Sequence, residues 1–473
     1  MKPYDSVVDF LLDCMSYHGD RLAVLDTSGA NLSYSKIFTI SSHIASMLSV
    51  ECGKVAIAPR NTVKSVTSIL GIWLSGSTAA IVDPLVFAED FEMIAEESKF
   101  STILVEETDY NSLCSLAEKL HIKCITIDSL YKDVLEKHTP YEGYWRPRSW
   151  ADAVIYYYGG IVGRTTEVIH THSSVLASGV TTALHYSLES RSLLVTPPLS
   201  HIFGLQLGVV APLTACSKSI LYSRYGPLDV LELLDILAKF KPNILIGVPL
   251  LYLKLLELKF TGYPGLEFSI TGGAAISPEA IRSWRNATGT EIVQAYGMTE
   301  AAPISGTRPE DNLEGSIGKP VVGVEVRILN SDGRMSVEGM GELVVRGPVV
   351  MKGYRDPEDT RKVFLSGGWM RTGDIIEVKG GYMYFRGIRK RMIKYKGYPI
   401  FPADIEYVLR KHPFVAKVEV YGESLGELGE APIARVWLKR GFSIAPDELR
   451  DWANKRMAPY KRLRRVEVVG EVE

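Results

Sequence analysis

From Lys54 onward the chain alternates short apolar runs with apolar residues at helical spacing, and this alternation limits the fold more than any other feature. Val55–Ala58, Ala79–Val82 and Thr102–Val105 read as buried strands, with helices at Val63–Leu74 and Phe91–Ser98 between them. The pattern resumes at Ala153–Tyr157, Leu193–Thr196, Ser219–Tyr222, Asn243–Ile246 and Phe268–Thr271. Strands and helices at this spacing predict parallel β-α-β layers. Two earlier helices, Val7–Ser16 and Ser33–Leu48, the second capped by Ser33 or Ser35, are expected to cover the sheet that follows. The stretch Glu136–Trp150, polar and rich in aromatics and prolines, reads as a connector between two sheets.

After Pro303 the character changes. Gly323–Leu329, Gly341–Arg346, Ile375–Lys379 and Tyr382–Phe385 are short alternating strands punctuated by glycine, which predicts a small distorted β-barrel or sheet. Beyond Gly387 the chain turns basic through Arg389-Lys390-Arg391. It then offers helices at Asp404–Lys411 and Pro446–Met457 and strands at Lys417–Tyr421 and Ala434–Leu438. The fold expected is α/β: a large N-terminal domain, residues 1–387, of two parallel βαβ layers plus a small β-barrel, hinged to a small α+β C-terminal domain, residues 388–473. A charge-rich junction without apolar anchors is where two domains rotate.

A chain of 473 residues with 46% apolar and 23% charged side chains has room for two or three cores. Lys and Arg number 53 against 55 Asp and Glu, so nothing global argues for a nucleic-acid partner. Cys14, Cys52, Cys114, Cys124 and Cys216 are scattered without a Cys-x-x-Cys pair, which predicts free buried thiols in a reducing compartment and no zinc site. Met1-Lys2-Pro3-Tyr4-Asp5 is not followed by a secretory pattern, and no apolar run approaches the roughly 18 residues of a membrane span. A cytoplasmic protein is expected.

The apolar pair Ile292-Val293 leads into Gln294-Ala295-Tyr296-Gly297-Met298-Thr299-Glu300. A buried strand ending in a turn at Gly297 would project Thr299 and Glu300 beyond the carboxyl end of a parallel sheet, where ligands sit. A hydroxyl facing phosphate and a carboxylate facing Mg²⁺ suit that place. The same residues also read as an ordinary strand-to-helix loop with Thr299 as the cap.

Further stretches accompany this loop: Thr271-Gly272-Gly273-Ala274-Ala275, Val350-Met351-Lys352-Gly353-Tyr354, Gly368-Trp369-Met370-Arg371-Thr372-Gly373-Asp374 and Ile393-Lys394-Tyr395-Lys396-Gly397-Tyr398. Together with Tyr296-Gly297-Met298-Thr299-Glu300, and in this order over most of the chain, they resemble the core motifs of the adenylate-forming superfamily of acyl-CoA synthetases, luciferases and peptide-synthetase adenylation domains.

The resemblance implies roles and substrates. Glu300 would hold Mg²⁺ and Thr299 bond the α-phosphate of ATP. Gly272, Gly273, Ala274 and Tyr296 would shape the adenine slot, and Asp374 would accept from both ribose hydroxyls. His201, in Pro198-Leu199-Ser200-His201-Ile202-Phe203-Gly204, matches the histidine beside the acid pocket, although a histidine on an apolar stretch also reads as a packing residue. The pocket is expected near His201, Gly247–Pro249 and Ala295–Gly297, whose apolar character favours a fatty or aromatic acid. Lys390 falls on the hinge position, where a solvated basic face is the other reading, and Gly397 falls where the pantetheine of CoA passes.

Departures from the family pattern predict weakened adenylation. The phosphate loop, Tyr158-Gly159-Gly160-Ile161-Val162-Gly163-Arg164-Thr165-Thr166-Glu167 before Thr171-His172, keeps Gly160 and Gly163, which can curl backbone around an anion. It has Ile161 and Val162 in place of hydroxyls, Thr166 in place of the lysine, and an added negative charge at Glu167. Arg164 is the nearest replacement cation. In Phe385-Arg386-Gly387-Ile388, Ile388 stands where the family has a ribose-contacting arginine, leaving Arg389 one position along. The sequence ends at Gly470-Glu471-Val472-Glu473, before the family's lysine loop, so a truncated C-terminal domain is expected, with Lys461, Arg462, Arg464 and Arg465 facing solvent on the preceding strand.

Three functions are compatible with these residues. The first is an ATP-dependent acid–CoA ligase using ATP, Mg²⁺ and CoA; the second performs the thioester half-reaction alone. The third is a degenerate relative that binds acyl-CoA or nucleotide without turnover. Whether the chain forms a homodimer, or a partner chain completes the site, stays open.

Overall fold

The computed structural model describes residues 4–48, 53–159, 165–224, 228–330, 332–388, 393–396, 398–400 and 402–472. Its first sheet has seven strands in the spatial order Gly353–Tyr354, Thr165–Thr171, Asp152–Gly159, Thr78–Ile81, Lys54–Ala58, Thr102–Val105 and Lys123–Thr126. The last five run parallel. The second sheet has nine strands, with Glu291–Met298, Phe268–Gly272, Ile244–Gly247, Ser192–Val195, Lys218–Leu221 and Leu22–Asp26 parallel at its centre. Both sheets follow from runs of apolar residues too short for helices and separated by helical segments.

The helix Val63–Leu74 forms where its sequence pattern places it. The Thr62 hydroxyl caps it by accepting from the Ser65 amide. All its residues except Lys64 are buried, and the buried hydroxyls of Ser65 and Thr67 donate to the Glu106 carboxylate and the Val63 carbonyl. Leu70 and Trp73 share one core with Ile57 and Ile81 of the first sheet and with Leu193, Val195 and Ile246 of the second. The two sheets are thereby packed through one apolar interior. The helix Tyr34–Met47 packs on Val63–Leu74 and is capped by Ser33.

Between the two N-terminal helices lie strands the sequence pattern missed, Leu22–Asp26 and Asn31–Ser33. Leu22–Asp26 joins the second sheet beside Lys218–Leu221, with Val24 opposite Ser219. Its local antiparallel partner, Asn31–Ser33, is only three residues long, and its parallel partner is nearly two hundred residues away, so no extended local alternation announces the pairing.

The strands Met335–Ser336, Glu325–Leu329, Gly339–Arg346, Met370–Lys379 and Tyr382–Ile388 form an antiparallel sheet. Its first and last strands do not pair among the described residues, so it is an open sheet and not a closed barrel. The C-terminal region has its own core, including Ile405, Leu409, Val418, Val436 and Leu449. There Val415–Ser424 pairs antiparallel with Glu430–Lys439, which pairs parallel with Arg465–Val472. The helices Pro402–Arg410 and Pro446–Asn454 cover this sheet.

The cysteine expectation is corrected: Cys14 is bonded to Cys216, and Cys114 to Cys124. Neither pair has a short-range spacing signature, because each sulfur meets its partner through the packing of separate elements. Cys52 lies outside the described residues. No helix among the described residues is long and apolar enough to cross a membrane.

Candidate active site

Thr299 and Glu300 occupy a tight turn between two strands, not the start of a helix. Glu291–Met298 runs parallel to Phe268–Gly272, turns at these two residues and returns as the antiparallel strand Ala301–Gly306. The helix-cap reading of Thr299 is thereby removed. The chain also stays in strand geometry through Gly297, beyond the turn expected there. Gly297 fits because a Cβ at that position would come within 3.1 Å of the Ala301 carbonyl oxygen.

The turn is held from the other sheet. Nε2 of buried His170 donates to the Thr299 carbonyl at 2.7 Å. Burial pushes the imidazole down to about 4, so it stays neutral and keeps its proton on Nε2. The Met351 amide donates to the Glu300 carbonyl at 2.8 Å, and the Tyr354 hydroxyl donates to Glu300 Oε1 at 2.6 Å. Glu300 is buried, while Thr299 is half-buried and its hydroxyl makes no hydrogen bond with the described residues.

Three residues earlier on the same strand, the Tyr296 hydroxyl donates to Asp374 Oδ2 at 2.6 Å. This joins two motifs 78 residues apart. Burial, with the Asp374 carboxylate beside it, raises the Tyr296 hydroxyl well above its ordinary range, so it remains a donor. Asp374 is itself buried on Met370–Lys379, and its amide donates to the Thr372 hydroxyl at 3.1 Å.

Gly272 lies opposite Ala295 in the parallel register. A Cβ on Gly272 would sit 3.0 Å from the Ala295 carbonyl oxygen and 3.1 Å from the Phe203 ring, so the surface there requires glycine. Gly273 takes φ +77°, which glycine adopts without strain, and Ala274 follows half-buried. Phe203 connects this floor to His201, whose Nδ1 accepts from the Phe203 amide at 3.2 Å and caps the short helix Ile202–Leu205. Burial, reinforced by the nearby Lys394 ammonium, pushes His201 down to about 4. With Nδ1 accepting, neutral His201 carries its proton on Nε2, which makes that atom the donor.

Sequence reasoning named Thr299, Glu300, Tyr296, Asp374, Gly272, Gly273, Ala274 and His201, and these residues lie on one connected set of strands and turns. It missed His170 and assigned no role to Tyr354. His170 belongs to His170-Thr171-His172, and Tyr354 closes the glycine-containing stretch 350–354; only the tertiary contact shows what either does. Gly160, Gly163 and Arg164 of the phosphate loop, with Ile161 and Val162, lie outside the described residues, as do Arg389, Lys390 and Gly397.

Two charge expectations are corrected. Glu167 is buried on the strand Thr165–Thr171 and paired with Lys54 at 3.1 Å, with Arg355 at 4.0 Å, so its charge is neutralised within the first sheet. Lys461 does not face solvent. It is buried in a short 3-10 turn, Pro459–Lys461, its ammonium between Asp90 and Asp404.

Glu300 suits Mg²⁺, which commonly takes one or two carboxylates and completes its shell with phosphate oxygens and water. Among the described residues no group of three His, Cys, Asp or Glu side chains forms an all-protein metal cage.

Comparison with known proteins gives this arrangement a context. The AMP-binding enzyme family matches residues 13–355, and the AMP-binding enzyme C-terminal domain matches residues 404–473. The chain belongs to the AMP-binding enzyme family. It is an adenylate-forming protein of the acyl-CoA synthetase type, the class its motifs resemble. Mitochondrial malonate–CoA ligase of Bos taurus is 28% identical over 93% of this chain and 84% of its own length. A long-chain-fatty-acid–CoA ligase of Bacillus subtilis is 32% identical over 65% of this chain and 57% of its own length. Among solved structures, o-succinylbenzoate CoA synthetase of Bacillus subtilis has the same fold, with a TM-score of 0.86 at 24% identity over 97% of this chain and 94% of that one.

Proposed function

We propose that the protein joins a fatty or aryl carboxylic acid to CoA through an acyl-adenylate, with the adenylation step weakened. The observation that carries this reading is the convergence of the Thr299–Glu300 turn, the Tyr296–Asp374 pair and neutral His201 around the glycine floor at 272–273.

In the first step the acid's carboxylate oxygen bonds the α-phosphorus of ATP and pyrophosphate leaves. Thr299 directs its hydroxyl to the α-phosphate, and the rigid turn sets its position without reorganisation. Glu300, oriented by Tyr354, would hold Mg²⁺, which neutralises phosphate charge when bound. Asp374 accepts from the ribose hydroxyls while Tyr296 fixes one of its oxygens. In the second step the sulfur of CoA bonds the acyl carbon and AMP departs, with Gly397 leaving room for the pantetheine arm and Arg389 and Lys390 at the hinge. His201 donates from Nε2 toward the acid and uses no titration near neutral pH. The apolar surroundings of Phe203, Gly272 and Ala295 favour an uncharged fatty or aromatic chain.

Weakened adenylation rests on the loop sequence, where Thr166 replaces the family's lysine and Ile161 and Val162 replace hydroxyls. Loss of a charge-matched cation costs roughly 3–4 kcal/mol of transition-state stabilisation, on the order of 10²–10³ in rate. The test compares acyl-CoA formed from acid plus Mg-ATP with that formed from preformed acyl-adenylate, by mass spectrometry over fatty and aryl acids. Product by both routes, slower from ATP, is expected. Product from the adenylate alone would assign only the thioester half-reaction, and product from neither would assign a binding protein.

A further inference from the structure

We propose that Lys461 is a positioning residue for the thioester step: by pairing with Asp90 of the large domain it latches the small domain, with its paired strands Ile393–Tyr395 and Tyr398–Ile400, against the acid site. This rests on the function proposed above for the choice of step, but the docking contact stands on geometry alone. Lys461 Nζ lies 3.0 Å from Asp90 Oδ2 and 3.1 Å from Asp404 Oδ2, with only 9% of its side chain exposed. Asp404 lies in the first turn of the helix Pro402–Arg410 of the small domain, whereas Asp90 lies on Ala88–Ser98 of the large domain. One cation therefore serves a carboxylate from each domain.

The surroundings make this a domain contact and not a stray surface pair. Tyr398 and Tyr460 stack at 4.6 Å beside Lys461, and the carboxylate of Asp83 in the large domain raises both hydroxyls further beyond what burial does. Gly426–Leu428 of the small domain rests on the helix Pro249–Glu257 of the large domain. The Lys394 ammonium of the small domain sits 5.8 Å from the centre of the Phe385 ring of the large domain, and its charge adds to burial in depressing the His201 imidazole. The ion contact and the paired strands thus hold one arrangement at two places.

The number of carboxylates matters. A buried ammonium stripped of its only partner is strongly penalised, which would make separation of the domains prohibitive. Here Asp404 moves with Lys461, so undocking breaks the Asp90 contact and leaves the ammonium paired within its own domain. The arrangement favours docking while keeping it reversible, as a two-step reaction with one mobile domain requires.

The experiment uses the full chain with Asp90→Asn and Asp90→Glu. Hydrogen–deuterium exchange reads docking at 426–428 and 459–461, independently of activity. Single-turnover assays read adenylation, as pyrophosphate released from acid plus Mg-ATP, and thioester formation from preformed acyl-adenylate plus CoA. Asp90→Asn is expected to speed exchange at those segments and slow thioester formation about tenfold with adenylation kept within about twofold, while Asp90→Glu restores both readouts. Unchanged exchange in Asp90→Asn, or an equal fall in both half-reactions, would overturn the proposal. If the wild type shows neither half-reaction, the proposed function fails, and faster exchange in Asp90→Asn still upholds the docking contact while a flat result removes it.

Discussion

Asp374 and Glu300 are both buried carboxylates with a tyrosine hydroxyl on one oxygen, Tyr296 for the first and Tyr354 for the second. A tyrosine orients a carboxylate without cancelling its charge, so each stays an acceptor for something that arrives. Replacing Asp374 by Ala removes hydrogen bonds to a charged group worth roughly 1.5–3 kcal/mol, and ATP affinity is expected to fall about 10–100-fold by isothermal titration calorimetry. Unchanged affinity would remove Asp374 from the nucleotide site. Glu300→Gln keeps the Tyr354 contact but loses the charge, so Mg²⁺-dependent pyrophosphate release is expected to fall at least about 100-fold while the fold is retained. These carboxylates were legible in the sequence because each belongs to a motif of several fixed neighbours. His170, Tyr354 and Lys461 were not, since each acts through a partner between 54 and 371 residues away.

At the scale of elements, Asp152–Gly159 pairs antiparallel with Thr165–Thr171, and the second of these strands buries Glu167. The fully buried Glu167 carboxylate meets Lys54 at 3.1 Å, and Arg355 at 4.0 Å adds further attraction. Lys54→Met is expected to cost on the order of 2–3 kcal/mol, read as a lower urea midpoint at unchanged slope, because it leaves a buried carboxylate under-compensated. Adding Glu167→Leu should recover most of that loss; no recovery would show that Lys54 acts through packing alone. Sequence pattern found the helix Val63–Leu74 at both ends because cap, periodicity and termination agree there. It missed Leu22–Asp26, whose parallel partner lies nearly two hundred residues away, and the strand Thr165–Thr171, whose polar opening Thr165-Thr166-Glu167 does not read as an apolar run, and it left barrel or sheet open where an open sheet stands.

For the whole molecule, the α/β layering, the separate antiparallel sheet and the small α+β region were all readable from periodicity, whereas the Lys461–Asp90 contact between regions was not. Buried charge also shapes the molecule's response to pH. His170 and His172 are buried, and burial lowers both to about 4, so between pH 6.5 and 4 the folded state binds fewer protons than the unfolded chain. Their contribution is complete above about pH 6.5 and is lost as pH falls toward 4, on the order of 1–3 kcal/mol each. Asp404, raised to about 6 chiefly by burial, acts in the opposite sense together with Asp83 and Glu106, which burial also raises, but His185 and His201 are lowered to about 4 as well, so four imidazoles stand against three carboxylates. The melting temperature is therefore expected to fall steadily from pH 6.5 to 4, and a flat profile would contradict neutral buried imidazoles. The most direct test of the central claim is to incubate the intact protein with Mg-ATP, CoA and a panel of fatty and aryl acids, and to quantify acyl-CoA and AMP together by mass spectrometry. The account predicts the two products in equal amounts for at least one acid, formed slowly and lost in Glu300→Gln; nucleotide binding with no acyl-CoA from any acid would contradict it.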